Sequence, residues 1–170
     1  IESERGVVAS ERRTSVDADN LGMLGEQLAA AAFTAHPYQW PVIGWMVDIE
    51  HWQMQDLKRH FEMGYSPANA VLVVGGAVEF DEFARLARKY LEPISAHAPP
   101  PPVTTREPEQ LGERRVSVCK LAQLPILMVA YHVPEARHAD YFSLRILRNI
   151  LFHGQSGRVY LRLVDRDQLA

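Results

Sequence analysis

The sequence has few of the features that mark disulfide scaffolds, membrane proteins or nucleic-acid-binding proteins. It contains a single cysteine, Cys119, so the chain cannot form an internal disulfide. Because Cys119 lies in a run typical of a strand, we interpret it as a small buried hydrophobic residue. No run of about 20 apolar residues occurs, so we expect no membrane insertion. The net charge of -3 lacks the basic excess that nucleic-acid binding requires, and we expect no such partner.

The usual catalytic motifs are also missing. The sequence has no cysteine pair for zinc, no glycine-rich phosphate loop and no Gly-x-Ser-x-Gly turn. His132, Glu135 and His138 are the nearest approach to a metal motif. The two histidines are six residues apart with Pro134 between them, so they do not share a helix face as the i, i+4 pair of a zinc helix does. The chain therefore lacks a self-sufficient catalytic constellation.

What the sequence does contain is an ordinary globular composition, with 47% hydrophobic and 23% charged residues. Its apolar periodicity predicts helices at 2–16, 21–33, 49–63, 80–90, 138–152 and 157–169. Continuous or alternating apolar runs predict strands at 69–75, 115–120 and 126–133. This order of elements indicates an α+β fold.

A proline-rich segment divides the sequence. Residues 93–108 include the run Pro99–Pro102, which neither a helix nor a central strand tolerates. We interpret 93–108 as an extended linker between a first domain, 1–92, and a second domain, 109–170. The alternative is a long surface loop within one domain. Each part has too few strands for a typical sheet, and the chain begins with Ile1, so we interpret it as part of a longer protein.

Two glutamates in the first predicted helix, Glu4 and Glu11, are seven residues apart. At 3.6 residues per turn this spacing places them on one face, two turns apart, with Val7 and Val8 between them. Carboxylates beside apolar residues can be metal ligands. They can equally form an ordinary solvated helix edge, because glutamate is a good helix former and is usually exposed. The spacing alone leaves both interpretations open.

Four segments, taken together and in order, resemble the insulinase-like zinc peptidases, the pitrilysin or M16 group. They are residues 2–13 (ESERGVVASERR), 36–44 (HPYQWPVIG), 65–76 (YSPANAVLVVGG) and 153–170 (HGQSGRVYLRLVDRDQLA). The resemblance covers nearly the whole chain. It implies two partial sandwich-like domains, each with helices packed on an antiparallel sheet, joined by the proline-rich linker.

The resemblance also implies a zinc-dependent endopeptidase that cleaves peptides or small proteins inside a closed chamber. Glu11 corresponds to the third zinc ligand of the family, and Glu4 to an accessory carboxylate of the catalytic site. The family's His-x-x-Glu-His motif, which carries the general base, does not occur here and is expected upstream. We therefore expect this segment alone to be inactive. The alternative is a non-catalytic partner or scaffold subunit without zinc.

The expected partners are a peptide substrate and a second subunit or domain of the same type, which supplies an Arg and a Tyr seven residues apart. The resemblance places the Arg of that pair at Val164 in this chain, and valine cannot make the contact. This departure favours a zinc-bearing half. The resemblance further suggests the bacterial periplasm as the location.

Overall fold

The computed structural model describes residues 1–169. The chain divides after Met128 into two compact units, unit 1 (1–128) and unit 2, which begins at Val129. Unit 1 contains five helices: α1 (Glu2–Arg12), α2 (Asn20–Ala32), α3 (Met46–His51), α4 (Met54–Gly64) and α5 (Phe80–Leu91). A π-helical turn, Arg13–Asp17, continues α1, and 3-10 turns occur at Pro37–Gln39 and Pro67–Asn69. Unit 2 contains α6 (Tyr141–Phe152) and α7 (Arg158–Tyr160), which a π-helical turn, Leu161–Arg166, extends. The predicted boundary at 93–108 stays a prediction.

The expected α+β fold with antiparallel sheets is wrong, because no strand is formed in residues 1–169. The segments 69–75, 115–120 and 126–133, predicted as strands, have no strand structure. A strand is stabilised by hydrogen bonds to a neighbouring strand, and within 1–169 no backbone hydrogen bond joins 71–75 or 115–120 to another segment. The apolar side chains there are exposed, as shown by Val73 at 85%. Cys119 is exposed as well, so its interpretation as a buried residue is wrong.

The sequence patterns that predicted helices were more reliable than those that predicted strands. Asp19 is the N-cap of α2 and accepts a hydrogen bond of 2.6 Å from the backbone N–H of Gly22, as the break before the second predicted helix indicated. The helix predicted at 49–63 is interrupted, since α3 ends at His51 and α4 begins at Met54. Gln53 and Asp56 form a capping box that starts α4 and replaces the continuous helix.

The buried core of unit 1 is small and partly polar. Ala9 of α1 and Ile49 of α3 are its buried apolar side chains, and α1 packs on α3. Arg12 and Ser66 are the buried polar side chains within the described residues. The centre of the unit therefore lies beside α1, and a charged residue occupies part of it.

The proline-rich segment, 93–108, is bonded to the rest of unit 1 at two points. The hydroxyl of Ser66, which is 4% exposed, donates to the carbonyl of His97 (2.9 Å) and accepts from its N–H (2.8 Å). The carboxylate of Glu107 accepts bonds of 2.8–2.9 Å from the backbone N–H groups of 34–36 and one of 2.9 Å from the hydroxyl of Thr34. These bonds hold the segment against the end of α4 and the loop after α2.

A cation beside Glu107 completes the second attachment. The guanidinium of Arg114 lies 3.7 Å from Glu107 and donates to the carbonyls of Ala31 (3.0 Å) and Ala32 (2.8 Å) at the C-terminus of α2. A cation is favourable there because the last carbonyls of a helix carry partial negative charge. Although burial raises the pKa of Glu107, the hydrogen bonds from 34–36 outweigh it and lower that pKa to about 2.

Candidate functional site

The two predicted site residues lie on α1, and both are exposed. The helix begins directly after Ile1, whose carbonyl accepts the N–H of Arg5 (2.9 Å), and acidic residues in its first turn suit the helix dipole. Within residues 1–169, the carboxylates of Glu4 and Glu11 have no hydrogen-bond or ion-pair partner. Their oxygen atoms are therefore open to a ligand or to water.

The backbone at Glu11 is fixed more firmly than its side chain. Its carbonyl oxygen accepts hydrogen bonds from the hydroxyl of Ser15 (2.7 Å) and from that of Thr14 (3.1 Å). These bonds lie at the start of the π-helical turn that continues α1. Hydroxyl groups that bond back to the preceding turn compete with the helical backbone pattern and often bend a helix, and the regular α-helix gives way to the π-helical turn at this point.

Arg12, the next residue, points into the protein. Its guanidinium donates to both carboxylate oxygens of Glu26 on α2 (2.5 and 3.0 Å), and each of the two side chains is 7% exposed. It also donates to the carbonyl of Gly44 (2.9 Å) and lies 5.4 Å from the ring centre of Trp45. The hydrogen bond to Glu26 raises the pKa of Arg12 above its ordinary value, against the opposing effect of burial. Arg12 is therefore a permanent buried cation.

Arg5 repeats this arrangement seven residues earlier. Its guanidinium donates to the carbonyls of Ile49 (3.0 Å), Glu50 (2.7 Å) and Trp52 (2.9 Å), around the C-terminus of α3. Its side chain is 16% exposed and pairs with Glu2 at 3.2 Å. Together, Arg5 and Arg12 hold α1 against the segment 44–52 at two points, two helical turns apart.

These two arginines were missed by the sequence analysis. A signal was present, because the dipeptide Glu-Arg occurs twice with the spacing of the glutamates, at 4–5 and at 11–12. Adjacent helical residues point about 100° apart, so the pattern predicts a carboxylate face beside a guanidinium face. The partners of the guanidinium groups lie in a distant loop and could not be identified from local spacing.

The carboxylates of Glu4 and Glu11 fit part of a zinc site. Carboxylate oxygens are among the ligands that zinc accepts. Seven residues correspond to a rise of about 10 Å along the helix, which suits one direct ligand and one accessory group better than two ligands to one ion. Within residues 1–169, no group of three or more His, Cys, Asp or Glu side chains could hold a metal ion. Further ligands would therefore have to come from elsewhere.

No helix within the described chain is both long and apolar enough to cross a bilayer.

Residues 51–170 match the family model described as Peptidase M16 inactive domain. This match covers more than half of the chain, and α1 with its two glutamates precedes it. The match identifies the M16 family and does not distinguish the pitrilysin or insulinase groups within it.

Two curated relatives align with nearly the whole chain. Zinc protease PqqE of Helicobacter pylori (strain ATCC 700392 / 26695) is 36% identical over 171 residues, which cover 98% of this chain and 38% of that protein. An uncharacterised zinc protease of Mycobacterium leprae (strain TN) is 26% identical over 172 residues, which cover 100% of this chain and 38% of that protein.

A solved structure, described as the crystal structure of a protease from Helicobacter pylori, is similar to this chain with a TM-score of 0.83 and 33% sequence identity. The similarity covers 99% of this chain and 41% of that one. The chain thus spans about two fifths of the length of the relatives it matches. From the family match and from these alignments, the chain belongs to the peptidase M16 family.

Proposed function

We propose that this chain is part of a zinc-dependent endopeptidase, in which Glu11 is a zinc ligand and Glu4 an accessory carboxylate. The observation that carries the proposal is the pair of exposed carboxylates without partners on one face of α1. Most other charged groups near them are paired, as Arg12 is with Glu26 and Arg5 with Glu2. The relatives named zinc proteases support the choice of metal and of reaction.

Each glutamate has a distinct task in this proposal. The carboxylate of Glu11 supplies one oxygen ligand from a helix that the buried contacts of the next residue, Arg12, hold in place. Glu4 lies two turns earlier on the same face, where its carboxylate can accept hydrogen bonds from substrate or water and orient them. Zinc, when bound, would supply Lewis acidity and an activated water for hydrolysis of the peptide bond. The remaining ligands and the general base come from a part of the longer protein outside this chain.

The test measures zinc content and hydrolysis of a quenched peptide in the longer protein, for the wild type and for Glu11→Gln. We expect about one zinc per wild-type molecule, and loss of both metal and hydrolysis in the variant. The matched control is Glu62→Gln, which changes an exposed glutamate of α4 without a partner in the described chain. Full zinc and activity in Glu11→Gln would refute the assignment.

A second candidate is a non-catalytic partner that completes the chamber of a related, active subunit. It is favoured by the description of the family model as an inactive domain. The matched range, 51–170, does not include Glu4 or Glu11, so the description does not bear on them. A coding sequence without His-x-x-Glu-His upstream of Ile1, together with no bound zinc, would favour this candidate over the first.

Two further expectations belong to the proposal. The active form would include a second M16-type subunit or domain that carries the Arg/Tyr pair, with an extended peptide as substrate. The protein would act in the bacterial periplasm. Copurification of a second M16-type chain, and a cell-fractionation experiment, test these two points separately.

A further inference from the structure

We propose that Arg12 is a positioning residue for Glu11: its buried contacts fix the rotation of α1, and so the direction in which the Glu11 carboxylate points. This inference rests on the proposed function, because it assigns Arg12 a role through the zinc ligand beside it. It concerns orientation, since Arg12 itself faces the interior and does not touch the carboxylate face.

Helix geometry couples the direction of Arg12 to that of Glu11. Adjacent residues of an α-helix are rigidly related, with side chains about 100° apart around the axis. A contact that fixes the direction of Arg12 therefore also fixes the direction of Glu11. The same relation holds for Arg5 and Glu4, one heptad earlier.

Arg12 makes several independent contacts that fix its direction. One guanidinium meets a carboxylate of α2, the carbonyl of Gly44 and the ring of Trp45, which belong to two distant segments of unit 1. The planar guanidinium presents several donors in a fixed geometry, so the contacts define both the position and the plane of the group. An apolar side chain would fill the same space but would not restrict the rotation of α1 about its axis in this way.

The pair formed by Arg12 and Glu26 matters more for specifying the arrangement of α1 than for net stability. A buried ion pair contributes little net stability compared with well-packed apolar residues, because removing both charges from water costs as much as their attraction returns. The best-attested use of such a pair is to specify one arrangement among several. At this site, the arrangement that the pair specifies is the one that leaves Glu4 and Glu11 free and exposed.

The experiment uses the longer protein and compares Arg12→Met/Glu26→Met with Arg13→Met. The double variant removes both charges of the pair, so that no orphaned charge remains buried. Arg13 is the matched control, an exposed arginine of the same helical segment without a side-chain partner in the described chain. Zinc affinity by chelator competition, the visible spectrum of the cobalt-substituted protein and unfolding in urea are measured for each.

We expect the double variant to unfold at a urea concentration close to that of the wild type, yet to bind zinc about 10- to 100-fold more weakly. The cobalt spectrum should change, because the ligand geometry changes. Arg13→Met should match the wild type in all three measurements. A role confined to folding would instead move the urea midpoint and leave the zinc affinity and the spectrum unchanged.

Three results would count against the inference. Wild-type zinc affinity and spectrum in the folded double variant would overturn it, while weaker binding in Glu11→Gln would leave the proposed function intact. If the wild type bound no zinc, the proposed function itself would fall, and the inference with it. If the double variant did not fold, Arg12→Lys would be the test, because lysine keeps the charge but lacks the planar guanidinium. Unchanged zinc affinity in Arg12→Lys would overturn the inference, and about 10-fold weaker zinc binding would support it.

Discussion

Two parts of unit 1 differ in how their residues are held. Around α1, the buried contacts join three separate segments, α1, α2 and 44–52, through side chains of defined geometry, with Arg12 at the centre. In 71–75 and 115–120, the apolar residues are exposed, and the backbone has no hydrogen-bond partner within the described chain. The first region is held by side-chain contacts, and the second makes no backbone hydrogen bonds to another segment within the described residues. The candidate site lies on the first region.

The difference shows which interactions a helix and a strand need. A helix satisfies its backbone hydrogen bonds internally, so α1 can form without a neighbouring segment. Only side-chain contacts are needed to fix its position. A strand satisfies them through a neighbour, and apolar side chains alone do not provide one. Variants that alter one region and leave the other unchanged therefore test this difference between helix and strand segments.

The largest effect is expected at the buried ion pair. Glu26→Gln leaves the buried Arg12 guanidinium with only the partly exposed carboxylate of Asp17, 3.4 Å away, as a counter-charge, which should cost about 3 kcal/mol of unfolding free energy. Urea unfolding of the purified protein measures the change. The control is Glu62→Gln, an exposed glutamate that should change the free energy by less than about 0.5 kcal/mol. Equal effects in the two variants would mean that the pair does not anchor this region.

Glu107 should make the attachment of the proline-rich segment dependent on pH. Its pKa in the folded protein, about 2, lies below its ordinary value of 4.5, so the folded state binds fewer protons between these values. The contribution of Glu107 to stability is therefore fully present above about pH 4.5 and is lost as the pH falls towards about 2.

This prediction is measured as the difference in urea midpoint between the wild type and Glu107→Gln across that pH range. The difference should be greatest near neutral pH and should shrink on acidification. Glu109→Gln, an exposed glutamate without a partner in the described chain, should show no such trend. A difference that stayed constant with pH would contradict the hydrogen-bonded role of the Glu107 carboxylate.

A smaller effect is expected at Ser66. Ser66→Ala removes the hydroxyl that bonds both the carbonyl and the N–H of His97, and should cost about 1 kcal/mol. The variant should also increase hydrogen exchange at the amide of His97. Ser117→Ala, at an exposed serine, is the matched control. Unchanged exchange at His97 would show that the segment is held without this hydroxyl.

The smallest effect is expected in the apolar segment after α4. Val73→Lys places a charge at a side chain that is 85% exposed, so the unfolding free energy should change by less than about 0.5 kcal/mol. Urea unfolding again provides the measurement. A loss of several kcal/mol would instead indicate a buried central strand, as the apolar run predicts.

The sequence predicted the features that depend on neighbouring residues. The extents of α2 and α5, the cap at Asp19 and the shared face of Glu4 and Glu11 all follow from spacing along one helix. The break at Trp52 and Gln53 was missed, although Gln53 and Asp56 carried a capping signal. The strands were wrong because their formation depends on partners that spacing does not reveal. Arg5 and Arg12 were missed for a related reason, since their acceptors lie tens of residues away.

The two Glu-Arg dipeptides of α1 have a consequence for how this segment can change in evolution. A Cβ at Gly6 would meet no atom within 4 Å, so alanine there costs little. Inserting or deleting one residue between the dipeptides would rotate the second against the first by about 100°, and one arginine would lose its acceptors. The exposed residues between the dipeptides should therefore accept substitutions freely while the number of intervening residues stays fixed at five, whereas the buried Ala9 must stay small. Length is constrained along the whole stretch, and identity chiefly at Ala9.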